Sequence, residues 1–299
     1  MRAALVVPAR NKAAHVGKAL ASALAQEWDG DLTVIASDQG STDATRDVCK
    51  GLIDHYTGPH KAVLMDCPDR SSYGLGGLNA HLRWLHKAVD ADVFLTLGAD
   101  DLNHPHRVAA VMAAFRDTGA SYVGTTCMFV DPTGKEPDMG TIWPEQSGFI
   151  DPVGMFSLRV GGSCSCAWRK DLFEEFPLIE DVIPDMWMPY FGACRDGFFV
   201  IAERLATYVK HADKQNAGLE GVLRATTDPL ERQSVDERMW CDITRTLAKI
   251  FKIASSMAPA KWPETCRTGL YSALIEHGLG WAASRERLMR MEREAKEAA

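Results

Sequence analysis

The sequence has no CxxC pair: its eight cysteines stand at positions 49, 67, 127, 164, 166, 194, 241 and 266. Zinc-ribbon and thioredoxin-type readings therefore lack their ligand spacing. The lone C-x-C, Cys164-Ser165-Cys166, reads as two buried thiols rather than a ligand pair. No apolar run approaches the roughly 18 residues of a membrane span. Arg10-Asn11-Lys12 follows the N-terminal apolar run too soon for a secretory signal, so reduced thiols in a cytoplasmic setting are expected. Positive charge is not in excess either. Lys and Arg total 33 against 40 Asp and Glu, a formal net charge of −7, which disfavours binding to bulk polyanions such as nucleic acid. There is no internal repeat and no low-complexity segment. What remains is an ordinary globular composition, 46% hydrophobic and 24% charged over 299 residues, enough chain for one large domain or two modest ones.

The apolar pattern alternates between short runs and four-residue periodicity. Residues 3–7 read as a buried strand ended by Pro8. From Ala13, Val16, Leu20 and Leu24 recur every fourth residue, as on one helix face ending near Gln26. Residues 32–36 form a second strand, stopped by Ser37-Asp38-Gln39-Gly40-Ser41-Thr42-Asp43, in which Ser41, Thr42 and Asp43 are candidate caps for the next helix. A third strand over 62–65 leads to the Gly-rich loop Tyr73-Gly74-Leu75-Gly76-Gly77 and a helix through Leu78, Leu82 and Leu85. Strand four, 93–97, ends at Gly98-Ala99-Asp100-Asp101. A helix then starts at Pro105, and a further strand spans 122–130. This alternation says α/β with a largely parallel sheet. Residues 131–165 read as long loops, 167–176 as helix, 198–201 as strand, and 235–257, 264–283 and 284–297 as helices. The last helix carries mixed charge, which suits a solvated face rather than a lipid or DNA patch.

In parallel α/β sheets ligands sit beyond the carboxyl ends of the strands. Three ends here are polar and distinctive: Pro8-Ala9-Arg10-Asn11, Asp38-Gln39 and Asp100-Asp101. The competing readings are bland, with Asp38 as a turn residue and the twin aspartates as caps of the helix at Pro105. The Gly-rich loop does not read as a Rossmann fingerprint, because position 79 is Asn and the loop follows the third strand.

The ordered set Val-Val-Pro-Ala-Arg-Asn, Ser-Asp-Gln-Gly-Ser-Thr-Asp and Gly-Ala-Asp-Asp over residues 3–120 resembles the family 2 glycosyltransferases of the GT-A fold, with a weaker likeness from Gly161-Gly162 to His211 and none over 212–299. The resemblance implies a mostly parallel, Rossmann-like sheet flanked by helices, with a helical C-terminal extension. It divides the chain into 1–211, with a nucleotide-sugar half (1–120) and an acceptor half (121–211), and 212–299. It implies a metal-dependent, inverting transfer of sugar from a nucleoside diphosphate sugar to a hydroxyl. Developing charge on the leaving diphosphate would be neutralised by Mn²⁺ or Mg²⁺.

By resemblance, Asp101 and His211 ligate the metal, and Asp100 faces the donor ribose or shares the metal. Pro8, Ala9, Arg10, Asp38 and Gln39 meet the nucleotide, with Asp38 accepting a uracil-type N3–H. Gln39 departs from the family's second acid; its amide both accepts and donates. Arg70 is a diphosphate contact, with Lys210 as a further counter-charge. Asp185, in Pro184-Asp185-Met186-Trp187, is the base, with Glu180-Asp181 as the alternative. Gly161 and Gly162 lie by the acceptor, and Trp143 and Trp187 are candidate sugar platforms. The acceptor is open among glycan, small molecule, protein and modified nucleic acid, as is pairing of copies through the C-terminal helices. A turnover-dead binding protein and a nucleotidyltransferase are the rival functions. The second lacks the Gly-rich basic loop after strand one, and the first is opposed by the presence of both Asp100 and Asp101.

Overall fold

Residues 3–7 are uniformly apolar for a simple reason: the strand they form lies between two others. In the computed structural model, which describes residues 1–68, 75–131, 133–136, 144–150, 163–175, 184–209, 228–256 and 264–298, β1 (Ala3–Ala9) pairs in parallel with β2 (Leu32–Asp38) and β4 (Val93–Thr96). Both faces are covered, so Leu5, Val6 and Val7 are fully buried. The strand runs through Pro8 rather than stopping there. Val6 O accepts from Leu97 N, toward β4, whereas Ala9 O accepts from Gln39 N, toward β2. Pro8 shares the parity of Val6, so its missing N–H faces the side where β4 has already ended.

β3 (Lys61–Asp66) completes a parallel block, β3-β2-β1-β4. The helices between its strands are α1 (Val16–Leu24), α2 (Thr45–Asp54) and α3 (Leu75–Ala88). The sequence suggests a glycine loop over 73–77, but the helix already begins at Leu75. After β4 come the two-residue β5 (Leu102–Asn103), α4 (Arg107–Thr118), β6 (Tyr122–Val130) and β7 (Gly148–Ile150). A single 3₁₀ turn, Ser163–Ser165, precedes β8 (Cys166–Arg169), α5 (Lys170–Glu175), α6 (Pro184–Cys194) and β9 (Phe198–Val209). Among the described residues the sheet has nine strands in the order β3-β2-β1-β4-β8-β6-β9-β5, with β7 also on β9.

Three expectations are corrected. Residues 167–169 are strand, not helix: β8 is inserted antiparallel between β4 and β6, where Trp168 is buried against Tyr122 and His86. The strand at Phe198 is longer than the apolar run and extends to Val209. The helices expected at 264–283 and 284–297 are one, α8 (Glu264–Ala298), because no proline interrupts it. The sheet and its helices share a core that includes Leu20, Val34, Leu95, Val111 and Phe115.

The chain divides into two compact units, Met1–Lys210 and His211–Ala299. In the second, α7 (Pro229–Ser256) and α8 pack on each other. They are joined by polar contacts from Ser284 Oγ to Asp236 Oδ2 (2.6 Å), Gln233 Nε2 to Ser284 Oγ (2.8 Å) and Trp281 Nε1 to Glu237 Oε1 (2.8 Å). Among the described residues no helix is long and apolar enough to cross a membrane, and Cys49, Cys67, Cys127, Cys164, Cys166, Cys194 and Cys241 are free thiols.

Candidate active site

The register of the parallel block brings the polar strand ends together. Ala9 pairs with Asp38, and Asp38 with Asp66. Val6 pairs with Thr96, so the Gly98–Asp101 turn leaves β4 on the same edge. Asp66 is held by a two-pronged contact from Arg46, Nε–Oδ1 2.7 Å and Nη2–Oδ2 2.8 Å. That pairing raises the arginine further above its ordinary range.

The loops after β1 and β2 are stitched into one ledge. Asn11 adopts a left-handed backbone, φ 51°, a conformation asparagine tolerates. From there its side-chain oxygen accepts Thr42 N–H at 2.8 Å, while Asn11 N–H donates to Ser41 Oγ at 3.0 Å. Lys12 N–H donates to Thr45 Oγ1 at 2.6 Å. Asp43 is not free: its carboxylate caps the first N–H of α2 and also binds the loop after β1. It accepts from Thr45 N–H (2.9 Å) and Ala13 N–H (3.2 Å). Desolvation works upward on its carboxyl, but a bond from the Thr45 hydroxyl, together with these two, brings it below the ordinary carboxylate range.

Asp38 is buried, and its carboxylate accepts Gly40 N–H (3.0 Å) and Ser41 N–H (3.1 Å). These two bonds shape the turn and leave acceptor capacity on the carboxylate. Pro8 and Ala9 lie at the strand end, Arg10 is half-buried in the loop that follows, and Gln39 is tied to Ala9 through its backbone. Behind Asp38, Ser37 Oγ and His81 Nε2 share a buried hydrogen bond of 2.5 Å. Burial pushes His81 down to about 4, against the opposing pull of the Asp38 charge, so the ring is neutral near pH 7.

The twin aspartates are buried, Asp100 at 9% and Asp101 at 2% exposure. They do not cap α4. The first-turn N–H of Val108 goes instead to Gln26 Oε1 at 3.0 Å. Asp100 Oδ2 accepts from Lys12 Nζ at 2.8 Å, and Asp101 Oδ1 accepts Val209 N–H at 3.1 Å. The second oxygen of each carboxylate lies beside Gly98: a Cβ there would overlap Asp101 Oδ2 and stand 3.3 Å from Asp100 Oδ1. The absent side chain is what lets both carboxylates fold back onto the strand end.

Beneath this turn Arg107 is fully buried. Its Nη1 donates to Thr96 O (2.9 Å) and Asn103 Oδ1 (2.7 Å), and its Nη2 to Cys166 O (3.0 Å). Burial pulls its pKa down, and the three oxygens replace the water the guanidinium has lost. The fork thus ties β4, β5 and β8 together below the aspartates.

Two adjacent carboxylates, each with an oxygen beside Gly98, are hard donors of the kind that suit Mg²⁺ or Mn²⁺, so the chemistry of the pair fits a divalent ion. Among the described residues no third His, Cys, Asp or Glu joins them in a metal-sized group. Of the other residues picked out from the sequence, Arg70, Lys210, His211, Glu180, Asp181, Trp143, Gly161 and Gly162 lie outside the described residues. Asp185 is the second residue of α6 rather than part of a loop, with Trp187 in the same helix. Pro184 opens that helix, where the lost N–H is harmless, and α6 packs on β6 and β9 through buried Met188, Tyr190 and Phe191.

Sequence reasoning missed Lys12, Gly98, Arg107 and Val209. Only Gly98 left a sequence sign, as the glycine opening the Gly-Ala-Asp-Asp turn.

Four similarities bear on this arrangement. The sequence profile described as Glycosyl transferase family 2 matches residues 4–176. An uncharacterized glycosyltransferase of Nostoc sp. is 25% identical over 223 residues, which are 71% of this chain; the chain spans about 65% of that relative's length. Among solved structures, S. aureus TarS 1–349 in complex with UDP-GlcNAc superposes with a TM-score of 0.59 at 13% identity, covering 99% of this chain and 92% of that one. The mannosyltransferase PcManGT from Pyrobaculum calidifontis, in complex with GDP-Man and Mn²⁺, gives 0.57 at 15% identity over 95% and 73% of the two chains. Likenesses at these identities establish a shared fold, that of the GT-A glycosyltransferases.

Proposed function

The chain belongs to glycosyl transferase family 2, and from that premise we propose that it is a metal-dependent, inverting glycosyltransferase that moves a sugar from a nucleoside diphosphate sugar to a hydroxyl acceptor. The observation that carries the reading is the register of β1, β2 and β4. It brings the strand-end residues Ala9 and Asp38 and the turn that carries Asp100-Asp101 to the same carboxyl end of the sheet. The related folds in complex with UDP-GlcNAc and with GDP-Man and Mn²⁺ support a nucleotide sugar as donor and a divalent ion as its companion.

In this reading Pro8, Ala9, Arg10, Asp38 and Gln39 receive the nucleoside. Asp38 accepts an N–H from the base edge, and the Gln39 amide pairs with an edge that offers donor and acceptor. Asp100 faces the ribose or shares the metal. Asp101 would hold Mn²⁺ or Mg²⁺, which when bound supplies positive charge to the leaving diphosphate; His211 is the second ligand that the family resemblance implies. Arg70 adds to that charge. Asp185 takes the proton of the acceptor hydroxyl as its oxygen attacks the anomeric carbon. The bond from that carbon to the diphosphate oxygen breaks, and the electron pair leaves with the diphosphate. Attack opposite to the leaving group inverts the anomeric configuration.

The test is product analysis. Incubation with a panel of UDP- and GDP-sugars should release nucleoside diphosphate from one donor class in Mn²⁺. Proton NMR of the first-formed product should show inverted anomeric coupling. Release from no donor with any divalent ion, or a retained configuration, would overturn the corresponding part of the proposal.

A further inference from the structure

We propose that Lys12 is an exchangeable partner of Asp100: its ammonium competes with a divalent ion for the carboxylate and transfers to the donor's diphosphate when the ion engages. The inference rests on the function proposed above and adds to it a residue to which the sequence motifs gave no role.

The geometry is that of a near-buried ion pair. Lys12 Nζ lies 2.8 Å from Asp100 Oδ2, and the two side chains are 16% and 7% exposed. The other Asp100 oxygen and Asp101 Oδ2 both lie beside Gly98. A divalent ion held by this pair and an ammonium on the same carboxylate are like charges a few ångströms apart, in surroundings that screen poorly. Each therefore weakens the other's hold on Asp100.

Displacement of Lys12 from Asp100 needs an anion to receive it, because a desolvated ammonium left alone is costly. The diphosphate of the donor is the anion that arrives with the metal. Lys12 is placed to make the move with its side chain alone. Its N–H is fixed by Thr45 Oγ1 at 2.6 Å, and its carbonyl accepts from His15 N (2.9 Å) and Val16 N (2.8 Å) at the start of α1. The backbone is pinned between two loops, while the four-carbon stem can rotate and carry the charge. No covalent step is involved.

The experiment measures binding, not turnover. The full chain and Lys12→Met are titrated with Mn²⁺ alone, read by the electron paramagnetic resonance of free Mn²⁺, and then with UDP and GDP at saturating Mn²⁺ by calorimetry. Loss of the competing ammonium should tighten Mn²⁺ about threefold or more, and loss of the receiving ammonium should weaken the diphosphate about tenfold. Lys12→Arg, which keeps the charge, should stay near the parent in both. If Lys12→Met loses its cooperative melt, Lys12→Gln takes its place.

Unchanged or weaker Mn²⁺ binding in the Met or Gln variant, in a chain whose parent binds both Mn²⁺ and a nucleotide, overturns the exchange and leaves the proposed function standing. Tighter Mn²⁺ with unchanged nucleotide affinity overturns it as well. A parent that binds neither UDP nor GDP in Mn²⁺ removes the proposed function and this inference together.

Discussion

Gly98 and Asp101 share space that only a hydrogen atom on Gly98 permits. A Cβ at position 98 would overlap Asp101 Oδ2 and crowd Asp100 Oδ1 at 3.3 Å. The acidic pair is therefore positioned from below by a missing side chain, as well as from the sides by Lys12 and Val209.

Gly98→Ala tests that placement. The added methyl must push the Asp101 carboxylate off Val209 N–H or distort the turn, an overpacking cost of about 1–3 kcal/mol. Denaturant unfolding should show the loss, and Mn²⁺ affinity should fall with it. Wild-type stability and Mn²⁺ binding in this variant would show that the carboxylates do not depend on the glycine.

Asp185→Asn separates binding from chemistry. The amide keeps the size of the carboxyl but cannot take a proton from the acceptor hydroxyl. Transfer should drop by about 10²–10⁴-fold, the usual contribution of a general base, with donor affinity unchanged. If donor affinity collapses instead, the base lies elsewhere.

His86 makes stability depend on pH in a definite direction. Trp168 Nε1–H donates to His86 Nε2 at 2.7 Å, so the other ring nitrogen carries the proton and donates to Leu82 O, also at 2.7 Å. The ring stacks on Phe94, and burial pushes its pKa down to about 4 from an ordinary 6.5. Below 6.5 the unfolded chain binds a proton that the folded chain refuses. The contribution of this group is complete above pH 6.5 and declines as pH falls toward 4, by up to about 3 kcal/mol. His81, pushed to a similar value, acts in the same sense. Urea unfolding between pH 7 and 4 should show the decline, and His86→Gln should flatten part of it. An equally steep decline in the variant would contradict the assignment.

Much of the parallel block was legible in the sequence because β1, β2 and β4 are buried on both faces and read as near-continuous apolar runs. β6, at 122–130, was legible in full as a stretch dominated by aromatic, apolar and β-branched residues that ends at the Asp131-Pro132 turn. β8 was not. It has four residues, follows a 3₁₀ turn and runs straight into α5, so no turn residue separates strand from helix and the stretch 167–176 carries a mixed period. β5 is two residues long and exists only through its pairing with β9. At the candidate site, the strand-end acids were visible as motifs. Lys12 was not, because its partner is 88 residues away in sequence and close only after β1 and β4 have paired. Arg107 sat on the expected helix, yet nothing in its neighbours announced that Thr96, Asn103 and Cys166 would close over its guanidinium.

The most direct measurement of the central claim is calorimetric titration of the parent chain and of Asp101→Ala with UDP and GDP, each in Mn²⁺ and in EDTA. The account predicts that one nucleotide binds the parent in Mn²⁺ at least about tenfold more tightly than in EDTA, and that the difference disappears in Asp101→Ala. Equal affinity of the parent in Mn²⁺ and EDTA, or a metal effect that survives the loss of Asp101, would contradict it.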